Sequence, residues 1–182
     1  MAVLDIRGTH GSGKSWLMHQ LLAQYPNTPL LDKQGHHLGY RLPTLQAVIL
    51  GKYATACGGC DGIKTADEVA RRMKLFAKQY PHVLLEGILV SHTFARYSAL
   101  ASELGDYRFL FLNTPMATCI ARVRNRRQKE GNVKPFNTAN LIKDWHQIWE
   151  RTQAKCRAAG HTVIVLQWSE AFTQLLSILK GC

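Results

Sequence analysis

At 182 residues and 46% apolar composition, the chain has the size of one compact domain with a full core, which excludes a disordered tail. Its 23 Lys and Arg against 12 Asp and Glu leave a formal net charge of +11, a larger excess than a nucleotide demands and one that a polyanion such as DNA or RNA makes use of. No apolar run approaches the roughly 20 residues of a membrane helix, so no membrane partner is expected.

Taken in chain order, VLDI (3–6) is a short apolar strand and RGTHGSG (7–13) a loop rich in glycine. KSWLMHQLLAQY (14–25) has helical spacing of its apolar residues and is broken by PNTP. LL (30–31) reads as a second short strand ending at Asp32. Residues 33–64 are less regular: HHLGYRL and LQAVILGKYA have strand-like composition, and the segment reads as an insertion or hairpin ending in CGGCDG. TADEVARRMKLFAKQY (65–80) predicts a helix, with Thr65 and Glu68 as a capping box and Val69, Met73, Phe76 and Ala77 on one face. PHVLLEGILV (81–90) predicts a buried strand interrupted by Glu86, SHTFARYSALASEL (91–104) a helix, and YRFLFLNT (107–114) another strand. PMATCIARVRNRRQKEG (115–131) opens with proline and closes with glycine, as a helix does. A long helix over 137–160 carries Leu141, Trp145, Ile148 and Thr152 along one side, and HTVIVLQW and SEAFTQLLSILK form the last strand and helix. Strands alternating with helices predict a single α/β domain over 1–182, with a parallel sheet covered on both faces.

The amino-terminal MAVLDIRG carries Asp5 and Arg7 early and lacks the apolar stretch of a signal peptide. Five scattered cysteines make no disulfide framework. Reduced thiols and a cytoplasmic location are expected.

Gly8, Gly13, Lys14 and Ser15 satisfy G-x-x-x-x-G-K-[ST] between a strand and a helix, the setting in which that pattern holds phosphate. The backbone of Gly8, Thr9, His10, Gly11, Ser12 and Gly13 would curl around the anion, at the positive end of the following helix. Lys14 would reach the β- and γ-phosphates of ATP or another nucleoside triphosphate, and Ser15 would hold Mg²⁺. The chain has no N-K-x-D for guanine and no apolar run ending in Asp-Glu or Asp-Asp of the kind motor ATPases carry. Instead Arg122, Arg124, Arg126, Arg127, Lys129 and Lys134 crowd a segment whose one acid is Glu130. This segment, about 117–136, is similar to the lid of small P-loop kinases. Arg122 and Arg126, four apart, share one helix face and are the leading candidates to neutralise a transferring phosphate, with Arg127 next.

Transfer to a hydroxyl needs a carboxylate to take its proton. Three stand out: Asp32 at the end of the second strand, Glu86 in the strand expected beside the phosphate loop, and Asp61 in GGCDGI. Asp32 and Asp61 are equally suited to capping turns. Glu86 inside an apolar strand is costly unless used, as a magnesium ligand or as the base. Arg41 and Lys52 in the insertion join Asp32 and Asp61 as candidate acceptor contacts. Cys57 and Cys60 with His36 and His37 are zinc-ligand types, but their spacing matches no finger, and an acceptor loop rich in glycine is the preferred reading. Trp145 and Trp149 could stack on bases or belong to the core.

RGTHGSGKS, LGKYATACGGCDGI, LLEGILVSH, FLNTPMATCIARVRNRR and KPFN together resemble the phage 5-hydroxymethyluridine DNA kinases of the P-loop kinase superfamily. The resemblance covers most of the chain. It implies a three-layer P-loop kinase fold with a five-stranded parallel sheet in the order 2-3-1-4-5. It also implies ATP and Mg²⁺, and a hydroxymethyl group on a thymine-like base in DNA as acceptor. Asp32 stands where related polynucleotide kinases carry their base, and Glu86 where nucleoside kinases do. A kinase of free nucleosides, nucleotides or other metabolites, a polynucleotide 5′-hydroxyl kinase, and a DNA-binding protein with ATP as a structural ligand are the rival readings.

Overall fold

The computed structural model describes residues 1–55, 58–131 and 136–181. Its centre is strand β1 (Ala2–Arg7), buried along its whole length, followed by the phosphate loop and helix α1 (Lys14–Gln24). Strands β2 (Thr28–Leu31) and β3 (His37–Leu42) form an antiparallel hairpin, and β3 runs antiparallel to β4 (Ala47–Leu50). Helix α2 (Ala66–Ala77) begins at the expected cap, with the Thr65 hydroxyl accepting from the Glu68 N–H at 3.1 Å. Strand β5 (His82–Glu86) leads into helices α3 (Ile88–His92) and α4 (Ala95–Leu104), then strand β6 (Tyr107–Asn113). Helix α5 (Met116–Lys129) is followed by α6 (Thr138–His146), a π-helical segment (Gln147–Thr152) and α7 (Gln153–Ala158), then strand β7 (Thr162–Gln167) and helix α8 (Ala171–Lys180).

The α/β class and the layered arrangement are as expected, but the sheet is not five-stranded and wholly parallel. It has seven strands in the order β2-β3-β4-β5-β1-β6-β7. The run from β4 to β7 is parallel, and the hairpin extends it by antiparallel pairing. Residues 30–31 were expected to supply the parallel strand beside the Glu86 strand; the fully buried AVIL of β4 takes that place instead. A short apolar run buried on both faces shows no alternation, so its pattern does not set it above its neighbours. The Glu86 strand does lie beside β1, with Ile6 opposite Glu86. It ends at Glu86, because Ile88–Val90 turn into α3, and the helix expected over 91–104 is split at Thr93 and Phe94.

Two cores sandwich the sheet. On one side Val69, Met73 and Phe76 of α2, Tyr97 and Leu100 of α4, and Ile148 and Cys156 pack together; on the other lie Leu17, Met18 and Leu21 of α1 with Leu175 and Leu179 of α8. The long 137–160 helix is continuous through its π segment, where the Thr152 hydroxyl donates to the Gln147 carbonyl at 2.9 Å. Within β1 the fully buried Arg7 donates to Asp5 Oδ2 at 2.9 and 2.7 Å, and the Tyr107 hydroxyl donates to the same oxygen at 2.9 Å. The Arg7 guanidinium also lies over the rings of Tyr97 and Phe109. This pair lies in the strand that carries the phosphate loop. Among the described residues no helix is long and apolar enough to cross a membrane.

Candidate active site

A cavity of about 960 Å³ opens at the carboxyl ends of the parallel strands, where open α/β sheets place ligands. Its floor is the phosphate loop. Gly13 has φ of 107°, a conformation that favours glycine and turns the backbone into α1. Lys14, 7% exposed, folds back so that its ammonium donates to the carbonyls of Gly8 at 2.7 Å and Thr9 at 3.1 Å. The buried hydroxyls of Thr9 and Ser12 have no hydrogen-bond partner. His10 also lines the cavity, its pKa lowered by burial and by the nearby Lys14 charge.

Glu86 is the buried carboxylate of the site, at 1% exposure. The Ser15 hydroxyl donates to its Oε1 at 3.0 Å. Burial raises its pKa, opposed by the Lys14 charge and the Ser15 hydrogen bond. The Tyr53 hydroxyl, itself buried, lies near enough to help hold the charged form but does not make a well-formed hydrogen bond. Gly59 closes over this carboxylate: it has φ of 75°, and a Cβ there would stand 2.5 Å from Glu86 Oε1. Gly59 is therefore a point of close backbone approach to Glu86. Cys60 is a buried core thiol whose pKa burial pushes up, while His36 pairs with Asp32 and Cys57 lies outside the described residues.

From α5, Arg122 and Arg126 both line the cavity. One Arg122 nitrogen donates to the carbonyls of Gly11 and Ser12, each at 3.3 Å, and the guanidinium lies 5.1 Å from the centre of the Trp168 ring. Arg127 is turned toward Phe136, at 5.7 Å, and is not among the cavity residues. Lys134 lies outside the described residues. On the opposite wall Lys52 and Asp61 line the cavity. The Asp61 carboxylate accepts from the N–H groups of Ile88 at 2.8 Å and Leu89 at 3.2 Å, so it caps α3.

Asp32 and Arg41 are not brought to this site. Asp32 follows the outermost strand, four strand spacings from β1, or about 19 Å. There it closes a turn, accepting from the N–H groups of Gln34 and His36, each at 2.8 Å, and facing the His36 ring at 3.0 Å. These hydrogen bonds outweigh desolvation, the largest single contribution, and lower its pKa. Arg41 is exposed on β3 opposite Val48. Because β3 runs antiparallel to β4, Arg41 sits toward the far end of the sheet from the cavity. Trp145 and Trp149 pack on each other, with the Trp145 indole donating to the Thr114 carbonyl at 3.2 Å. The aromatic rings at the cavity are instead Trp16, just after Ser15, and Trp168, just beyond β7. The rule that singles out carboxylates at strand carboxyl ends also singles out Trp168. Tyr53 carried no signal in the sequence, because its role depends on the Glu86 contact.

A phosphate cradle on a strand–helix turn, a buried carboxylate on its serine and two arginines overhead define a P-loop phosphotransferase. A family model described as "5-hmdU DNA kinase" matches residues 2–164. The chain belongs to the 5-hmdU DNA kinase family. It is 34% identical to the 5-hmdU DNA kinase of Pseudomonas phage PaMx11, over 98% of this chain and 97% of that one. It is 26% identical to that of Pseudomonas phage M6, over 100% and 99%. Against the 5-hmdU DNA kinase of Bacillus phage SP10 it is 28% identical over 93% of this chain but 27% of that protein. Among solved structures it is similar to a deoxyadenosine kinase from M. mycoides, with a TM-score of 0.45 and 12% identity, covering 98% of each chain.

Proposed function

We propose that the protein transfers the γ-phosphoryl group of ATP to the hydroxymethyl oxygen of 5-hydroxymethyluracil in DNA. The observation that carries this reading is the convergence, in one cavity, of the phosphate loop, the Ser15–Glu86 pair and Arg122 with Arg126. Family membership supplies the acceptor, and the net charge of +11 suits a DNA substrate.

The roles follow from position. The loop N–H groups and Lys14 hold the triphosphate. Ser15 Oγ is the hard oxygen donor that a magnesium ion would take, and the Glu86 carboxylate, 3.0 Å away, orients that hydroxyl. Such an ion would neutralise charge on the phosphate oxygens. Arg122 and Arg126 spread positive charge over the transferring group. Asp61 is occupied at α3 and Asp32 lies across the sheet, which leaves Glu86 to take the hydroxyl proton. Its raised pKa makes it a stronger acceptor than an ordinary carboxylate. Lys52 and the Gly58–Gly62 loop form the acceptor wall. The relatives are phage proteins, and the substrate DNA and ATP meet in the cytoplasm of the infected cell.

The test uses γ-labelled ATP with DNA containing either thymine or 5-hydroxymethyluracil, followed by digestion to nucleosides. Label on the modified base, and only with the modified DNA, is the expected result. Label at the 5′ end, or on a free nucleoside in preference to DNA, would replace the reading with one of its rivals.

A further inference from the structure

The geometry points to Leu89 as a wedge that fills the gap in the DNA base stack when the target base enters the cavity; this rests on the DNA-kinase reading above. The reacting groups set the requirement. Glu86 is 1% and Lys14 7% exposed, both at the floor of the cavity. Phosphoryl transfer needs the acceptor oxygen about 3–3.5 Å from phosphorus and in line. A base stacked inside a duplex cannot be brought to that depth, so the nucleotide must turn out of the helix. The vacated space costs stacking energy, and proteins that open such gaps commonly fill them with an apolar side chain.

Leu89 is placed and supported for that task. At 69% it is the most exposed large apolar side chain among the described residues. It directly follows Ile88, which lines the cavity, so it stands at the rim on the acceptor side. An exposed leucine on its own is unremarkable; the backbone of this one is tied to Asp61 and to Thr93. Its own N–H and that of Ile88 are gripped by Asp61. The Thr93 hydroxyl and N–H both donate to its carbonyl, at 2.9 and 3.2 Å. The Ser91 hydroxyl donates to the Gly87 carbonyl at 2.7 Å and accepts from the N–H of Gly8, the first residue of the phosphate loop, at 3.3 Å. The buried Arg7 donates to the carbonyls of Ser91 and Thr93. One short helix thus fixes Leu89 relative to the phosphate loop, as a wedge must be fixed relative to the site the base enters. Lys52 on the same cavity supplies a cationic contact for the distorted backbone.

The experiment compares Leu89→Ala with the unaltered protein on three acceptors: duplex DNA with 5-hydroxymethyluracil paired to adenine, the same strand alone, and a duplex with that base mispaired. Leu89→Ala should lose on the order of tenfold or more in kcat/KM on the paired duplex, stay within about twofold on the single strand, and recover part of the loss on the mispaired duplex, whose base opens more easily. Leu89→Met should retain duplex activity. With a non-hydrolysable ATP analogue, 2-aminopurine beside the target should brighten with the unaltered protein and stay dim with Leu89→Ala. Equal effects on paired duplex and single strand, or no effect on either, would overturn the wedge while leaving the kinase reading intact. Absence of label on 5-hydroxymethyluracil DNA with the unaltered protein would remove both.

Discussion

The centre of the sheet and its β2 edge each present a carboxylate just at or after a strand's carboxyl end, and they do different things with it. At the centre, Glu86 ends a strand flanked on both sides by parallel neighbours, next to β1, and burial raises its pKa. At the edge, Asp32 follows a short strand with exposed residues, and turn hydrogen bonds lower its pKa. The carboxyl ends of the strands mark a row of candidates; the strand beside the phosphate loop marks the site within that row. The chain crosses from one side of β1 to the other between β5 and β6, the kind of reversal at which open α/β sheets form their crevice.

That contrast can be broken in four places. The largest effect should come from Lys14→Ala, which removes the charge on the transferring phosphate. Label transfer should fall on the order of 10³-fold, with the unfolding midpoint nearly unchanged; full activity would detach the loop from catalysis. Next, Glu86→Gln should cost about 10²-fold in kcat, the low end of what a general base contributes. The unaltered protein must have Glu86 ionised, so its activity should fall as pH drops through a value above the ordinary 4.5, and that acid limb should vanish in the glutamine variant. Third, Asp5→Ala strands the buried Arg7 and should cost about 3–5 kcal/mol of stability, read as a fall in midpoint of about 2–4 °C per kcal/mol. The smallest effect belongs to Asp32→Asn, which should leave kcat/KM on DNA within about twofold. A loss matching that of Glu86→Gln would show that the edge reaches the site after all.

Much of the centre was legible in the sequence because its signals are local. The phosphate loop, the Thr65 cap, and the Arg122 and Arg126 pair on one helix face each depend on residues a few positions apart. The hairpin was not legible in the same way. Whether residues 30–31 or 47–50 stand beside β5 is decided by pairing across the chain, and both are short apolar runs. Asp32 follows the outermost strand, so its place at a strand's carboxyl end does not bring it to the cavity. The Glu86 environment was also hidden, since Gly59 and Tyr53 meet it only after the 51–62 loop folds back.

The hairpin has one more consequence. Its outer strand is short, exposed and carries Pro29, opposite Tyr40. Proline has no N–H to offer a newcomer, so the row of hydrogen-bonding groups along that flank is interrupted. That flank is thus ill-suited to sheet-to-sheet polymerisation. The two outer strands act as a hem along that edge of the sheet.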